Sequence, residues 1–277
     1  MKHAISFILT LAILNVMLVS CERQDKEPPE LPPYESMAID FNKFTVQEKA
    51  AIDNLKSTTD TTMYNYQFAY LNVGFFSLIL TVTLVVPVAA FYHSFSVEPA
   101  FLGDATWQWS YDYIVLGGTY TARLTGQVRA SDVKWEMYIS KVGIGGFDEF
   151  KWYEGTSLLD GTGGQWILNQ SAQYPDAMLQ INWERTGTEM GEVKYTDVMV
   201  LDNDTSPNEG FGSYIEAGIT EGDLDAYYNI YLAESEYYVY IEWSITEYYG
   251  RVMAEDSYLG PGWHCWDNYG YDIVCTE

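Results

Sequence analysis

VGFFSLILTVTLVVPVAAF, residues Val73–Phe91, holds no charged side chain, and Ser77, Thr81 and Thr83 are its only polar ones. Two surroundings accept such a stretch: hydrocarbon or the inside of a protein. It meets the length rule for a transmembrane helix, and Tyr64, Tyr66, Tyr70 and Tyr92 sit where an aromatic belt would lie. Other features speak for the protein interior. No Lys or Arg occurs between Lys56 and Arg123, so the cationic flank that orients a span is missing, and Pro87 lies inside the run. We therefore read it as a core helix, apolar on all sides because protein surrounds it. A membrane span and Val- and Thr-rich buried strands are the alternatives.

The chain beyond Ala100 supplies the partner. Trp107, Trp109, Tyr111 and Tyr113 alternate with polar residues, as do Tyr120, Ala122, Leu124, Gly126 and Val128. Val133, Trp135, Met137 and Ile139 repeat the pattern, and Ala177, Leu179, Ile181 and Trp183 repeat it again. Period-two alternation marks strands with one dry face. Tyrosine-rich stretches at 192–200, 213–220, 226–233 and 237–246 extend the series. Gly, Asn and Asp clusters at 116–118, 160–164, 202–212 and 221–223 punctuate it as turns. About eleven antiparallel strands follow, too many for a flat sheet, which would curl or split. A curled sheet needs an apolar filling, and 73–91 is the one wholly apolar helix on offer. The expected fold is mainly β with an N-terminal helical section: a large antiparallel meander, strongly curved or barrel-like, wrapped around the helix. In architecture alone, this resembles the half-barrel of LolA-type and mycobacterial lipid-binding lipoproteins. That resemblance implies an apolar ligand in the concave face.

The N-terminus reads as an address. Lys2 and His3 precede an apolar run from Ala4 to Val19, the layout of a secretory signal. Leu18-Val19-Ser20-Cys21 resembles a bacterial lipobox. Membership of that class implies lipid on Cys21 and cleavage after Ser20, an attachment to membrane held by acyl chains. Glu22-Arg23-Gln24-Asp25-Lys26-Glu27 is similar to the acidic surface-export signals of Bacteroidota lipoproteins. The expected location is the outer membrane, on its periplasmic leaflet or at the cell surface. Pro28, Pro29, Pro32 and Pro33 make 21–36 a tether, extended at roughly 3.1 Å per residue. Residues 37–99 form the helical section and 100–277 the β domain. Thr45-Val46-Gln47-Glu48 is a capping box opening a helix to about Lys56, and Asp60 can cap the next.

Of the 277 residues, 48% are hydrophobic and 16% aromatic, enough for a sizeable core. The net charge of −25 excludes a nucleic-acid partner, for no basic footprint exists to displace counterions. Loss of the signal removes Lys2 and no acid, leaving 13 basic and 39 acidic residues. Such a body is repelled by anionic headgroups.

Cys265 and Cys275 remain after lipidation, and an even count in an exported chain predicts a disulfide across a terminal hairpin. Asp202–Glu209 places oxygens at alternate positions but lacks the central glycine and twelfth-position glutamate of a calcium loop, so a solvated turn is expected and no metal. Gly164-Gln165-Trp166 matches the bare lipocalin pattern, but mid-chain, and Trp166 reads as one more inward aromatic. His93 and His264 stand without nucleophile elbow or ligand spacing, so neither catalysis nor a cofactor is expected. Two classes of function survive: a tethered structural or interaction protein whose partner the sequence does not identify, and a module binding lipid or another apolar ligand. Because most aromatics alternate inward, a glycan platform is the weaker form of the second.

Overall fold

The computed structural model describes residues 27–46, 62–200, 208–254 and 258–276. The signal, Cys21, Asp60 and most of the helix expected from Thr45 to Lys56 fall outside these residues, as do 202–207 of the acidic loop. Helix α1, Tyr64–Ser94, contains all of Val73–Phe91 and runs unbroken through Pro87. Buried strands are thereby excluded for this stretch.

A single antiparallel meander follows. Its strands are β1 Ala100–Gly103, β2 Thr106–Val115, β3 Gly118–Val128, β4 Asp132–Val142, β5 Phe147–Leu158, β6 Gly163–Asn169 and β7 Ala177–Thr186. It continues with β8 Glu189–Asp197, β9 Tyr214–Ile219, β10 Ala226–Leu232, β11 Tyr237–Trp243, β12 Gly250–Ala254, β13 His264–Trp266 and β14 Asp272–Ile273. The 14 strands pair in chain order, so β1 and β14 are free edges and the sheet is open. The count exceeds the expected eleven through short strands such as β1, β13 and β14.

Register explains how so many strands curve. Trp107, Gly126, Trp135, Gly155 and Trp166 face one another in sequence across β2 to β6, an alternation of the largest and smallest side chains. Each glycine gives up its volume to the indole beside it. A Cβ on Gly126 would sit 2.6 Å from the Trp135 ring, and one on Gly155 would sit 2.3 Å from the Trp166 ring. Gly164–Trp183 and Gly250–Trp266 repeat the device. Indoles thus fill the inner face without pushing the strands apart, where a flat sheet would leave them overlapping. The curvature is visible in the contacts of α1, which packs on β2 and β3 near one edge and on β12, β13 and β14 at the other. One helix touches both only if the sheet bends around it.

Both ends of α1 are pinned. At its start Asp272, on β14, acts as a cap from 208 residues away: its Oδ2 accepts from the Tyr64 N–H at 3.0 Å and also from the Thr62 hydroxyl. Its Oδ1 accepts from the Asn65 N–H at 2.9 Å. Asn65 Nδ2 donates to the Cys265 carbonyl at 2.8 Å. Near its end the Tyr111 hydroxyl donates to the Ala90 carbonyl at 2.5 Å, and the Tyr113 hydroxyl to that of Val86 at 3.4 Å. Phe91 meets Tyr153 and Trp166 edge-on.

Between the pins, one face is dry and the other is not. Tyr66, Ala69, Val73, Leu80, Leu84, Pro87 and Phe91 form a buried stripe at spacings of three, four and seven. Opposite them Leu71, Phe75, Leu78 and Val82 are 58–68% exposed. The all-round burial expected from the sequence holds for one face only. An open sheet reaches the helix from one side, and α1 lies in its mouth.

The N-terminal segment fills the remaining interior. Leu31 packs on the core, and Tyr34–Ser36 is a 3-10 turn whose buried Ser36 hydroxyl accepts from Trp166 Nε1 at 3.1 Å. The stretch expected to be tether up to Ser36 therefore joins the body earlier, at Leu31. Phe41 stacks on Tyr228, and Phe44 lies among Tyr66, Tyr228, Trp243 and Trp266.

Candidate functional site

The segment and the helix do not meet flush. Between them opens a cleft of about 500 Å³. Tyr34, Met37, Ala38, Ile39 and Phe41 form one wall. Leu80, Thr81, Leu84, Val85, Val88 and Ala89 form the other, with Tyr92 and His93 where the helix ends. Val115 and Tyr195 contribute from the sheet. Among the described residues no Lys, Arg, Asp or Glu lines it. A concave, mostly apolar wall with few polar groups is the usual chemistry of a small-molecule site, and the volume falls within the usual range of roughly 300–1,000 Å³.

The polar groups in the wall sit at two depths. Tyr34 and Tyr92 meet edge-on at 5.7 Å and are 37% and 59% exposed, so they belong to the rim. Burial, then Glu35 and then Tyr92 push the Tyr34 phenol above its ordinary value. Tyr195 is only 2% exposed. Burial raises its phenol far above the ordinary range, while the Ile39 backbone works the other way. Its hydroxyl nevertheless has no hydrogen-bond partner of good geometry among the described residues. Tyr195 pairs with Ile181 and Ile215 on the neighbouring strands. His93 is half-buried, tilted against Tyr111 and Tyr113.

Cys265 and Cys275 form the expected disulfide, with Cα atoms 5.2 Å apart, and it closes the β13–β14 hairpin that carries Asp272. His264 lies on that hairpin, Nε2 3.1 Å from the Gly260 carbonyl oxygen, at the opposite end of α1 from His93. Trp166 is fully buried on the inner face, the inward aromatic anticipated. Of the acidic loop, Asn208 donates to Asp197 at 3.3 Å. Among the described residues no group of three His, Cys, Asp or Glu is placed to hold a metal ion. Sequence reasoning named the concave face as a place for a ligand but none of the cleft residues in 34–41, nor Tyr195. Its one available signal was the aromatic and aliphatic content of 34–44, which exceeds what a solvated tether needs.

No protein-family model, no curated protein and no solved structure matches the chain.

Proposed function

We propose that this is an exported, lipid-anchored envelope protein whose β domain holds an apolar ligand of the acyl-chain class beside its own helix. The anchor is Cys21, and the location is the outer membrane. The observation that carries the ligand is the cleft of about 500 Å³ between α1 and residues 34–41, mostly apolar and lined by no Lys, Arg, Asp or Glu among the described residues. With a methylene taken at the ~30 Å³ of a water molecule, it holds a chain of roughly a dozen or more carbons. Burying eight such methylenes contributes about 6 kcal/mol, enough for binding in the tens of micromolar. No catalytic step and no cofactor are assigned.

The test is displacement of an apolar fluorescent dye from the Cys21→Ala chain by lipid extract. Ala89→Trp sets an indole into the cleft, and affinity is expected to fall at least tenfold. Unchanged binding in that variant refutes the site. A second reading, a structural or interaction role, draws support from the exposed apolar face at Leu71, Phe75, Leu78 and Val82, which exceeds what single scattered surface residues need. Purified protein that carries no lipid and binds none would favour it.

A further inference from the structure

We propose that the tips of the β2–β3 and β4–β5 hairpins dock shallowly into a lipid bilayer. The docking does not depend on the cleft holding a ligand.

The two tips are apolar and lie side by side. Ile114, Thr119 and Val142 face one another in a row across β2, β3 and β4. Leu116 lies in the first turn and Ile144 in the second. Ile114, Leu116, Val142 and Ile144 are 73%, 80%, 69% and 98% exposed. Single apolar residues scattered on a surface are ordinary, but four gathered at one end of a sheet mark a contact.

The first turn gives up stability to hold its leucine. Leu116 and Gly117 join Val115 to Gly118 with φ of 50° and 72°. Two central residues in the left-handed region make the hairpin turn that Asn-Gly ordinarily fills. A leucine there is strained and buries little of itself in return. Strain kept at such a place points to function.

Charge selects the occupant. Residues 113–120 carry no charged side chain and 140–147 carry only Lys141, in a chain of 39 acidic and 14 basic residues. The Lys141 ammonium sits at the second tip, 3.7 Å from where a Cβ on Gly145 would lie. The β10–β11 turn, at the same end of the meander, reads Ala233-Glu234-Ser235-Glu236 and shows the acidic pattern the first two tips lack. A lysine beside apolar tips suits lipid phosphate above hydrocarbon. Hydrocarbon also accepts protruding side chains without the matching pocket that a protein partner has to supply.

The acids set the depth. Asp112 lies four residues behind Leu116, roughly 13 Å at the rise of a strand, and Asp148 and Glu149 follow Phe147. Carboxylates stay out of hydrocarbon, so the tips enter by roughly 5–10 Å, as interfacial elements do. Too weak to hold the protein by itself, the contact fixes how a body tethered by the proposed lipid faces the membrane. Val115, between Ile114 and Leu116, lines the cleft, so docking sets that wall at the bilayer surface.

Flotation of the Cys21→Ala chain with phosphatidylcholine vesicles at millimolar lipid reads the contact. Weak association is expected, and it should persist in about 0.5 M salt. Leu116→Asn should lower the partition coefficient about fivefold while raising the melting temperature, because asparagine suits the turn. Ile144→Ser should lower it about fivefold with the melting temperature unchanged. Ile219→Ser, exposed at the opposite end of the sheet, should change neither. No flotation of the parent chain, or equal flotation of Leu116→Asn, overturns the proposal. So does binding lost in salt, which would assign it to charge. If sedimentation equilibrium instead shows a dimer that Ile144→Ser breaks, the tips meet a second copy of the chain and the bilayer assignment falls.

Discussion

Removing the carboxylate of Asp272 should loosen the start of a helix 208 residues upstream. Asp272 accepts from the N–H groups of Tyr64 and Asn65, which have no partner inside α1, and it places negative charge at the positive end of the helix dipole. A lost cap costs about 1 kcal/mol and a lost charge–dipole contact up to another, so Asp272→Ala should destabilise by about 2 kcal/mol. The disulfide is coupled to this. Cys265 and Cys275 are 10 residues apart, and the loop-entropy relation gives about 3 kcal/mol for their bond. Only two residue pairs, Cys265–Ile273 and Trp266–Asp272, join β13 to β14. Without the bond, β14 frays and takes the cap with it. The costs of Asp272→Ala and of the joint Cys265→Ala and Cys275→Ala change should therefore fall short of additive by at least about 1 kcal/mol. Urea unfolding followed by tryptophan fluorescence reads all four members of the cycle. Asp223→Ala, at an exposed turn, corrects for easing the net negative charge. An Asp272→Ala cost within about 0.5 kcal/mol of that control, or strict additivity, would refute the clamp.

Glycine substitutions should have opposite signs by position. Gly155→Ala drives a methyl into the Gln165 carbonyl oxygen and the Trp166 ring and should cost about 3 kcal/mol, whereas Gly74→Ala meets open space in α1 and should gain about 1 kcal/mol. Equal shifts in urea midpoint would discredit the indole–glycine row. Alkali should unfold the protein cooperatively. Burial raises the phenols of Tyr113, Tyr153, Tyr195 and Tyr228, and pushes that of Tyr66 up to about 12. Below pH 10 both states keep these protons and stability is intact. Above it the unfolded chain releases them while the folded chain does not, so each costs about 1.4 kcal/mol per pH unit, for Tyr66 between pH 10 and about 12. Near pH 11 the sum rivals a typical total stability, and loss of structure should coincide with a jump in tyrosinate absorbance. Gradual titration of every tyrosine in a folded protein would contradict it.

What could be read from the chain follows the range of the forces involved. Alternation in β2, β3, β4 and β7 is local and was legible, as was the disulfide, where two cysteines allow one pairing. The strand β5 was not, because a bulge at Trp152 moves the partner of β4 from Tyr153 opposite Met137 to Lys151 opposite Tyr138. The inward phase jumps by one residue, and Phe150-Lys151-Trp152-Tyr153 loses its period of two. The glycines at 126 and 155 look like weak points in a strand until the facing Trp135 and Trp166 are known. Residues 31–36 carry the prolines of a tether, yet Ser36 is buried by Trp166, 130 residues downstream. The cleft is least visible of all. Its walls come from 34–41, 80–93, Val115 and Tyr195, groups set well apart along the chain.

The exposed face of α1 raises the question of why the helix would stay with the sheet if the proposed anchor holds the protein at a bilayer. The helix is long and apolar enough to cross a membrane, and its most apolar stretch is one-third buried. Transfer of Leu71, Phe75, Leu78 and Val82 to hydrocarbon would contribute roughly 1–2 kcal/mol each at their present exposure. The same move strips the sheet. It uncovers the parts of Tyr113, Tyr153, Trp166 and Trp266 that α1 covers, and it breaks the hydrogen bonds from Tyr111 and to Asp272. Helix side chains already buried gain nothing from changing one apolar surrounding for another. The balance favours packing, so membrane attachment should reside in the proposed lipid alone. Cys21→Ala should convert a membrane-fraction protein into an exported one extracted by carbonate. Carbonate-resistant pelleting of that variant would mean that α1 leaves the sheet for the bilayer, and the cleft it borders would then have lost a wall.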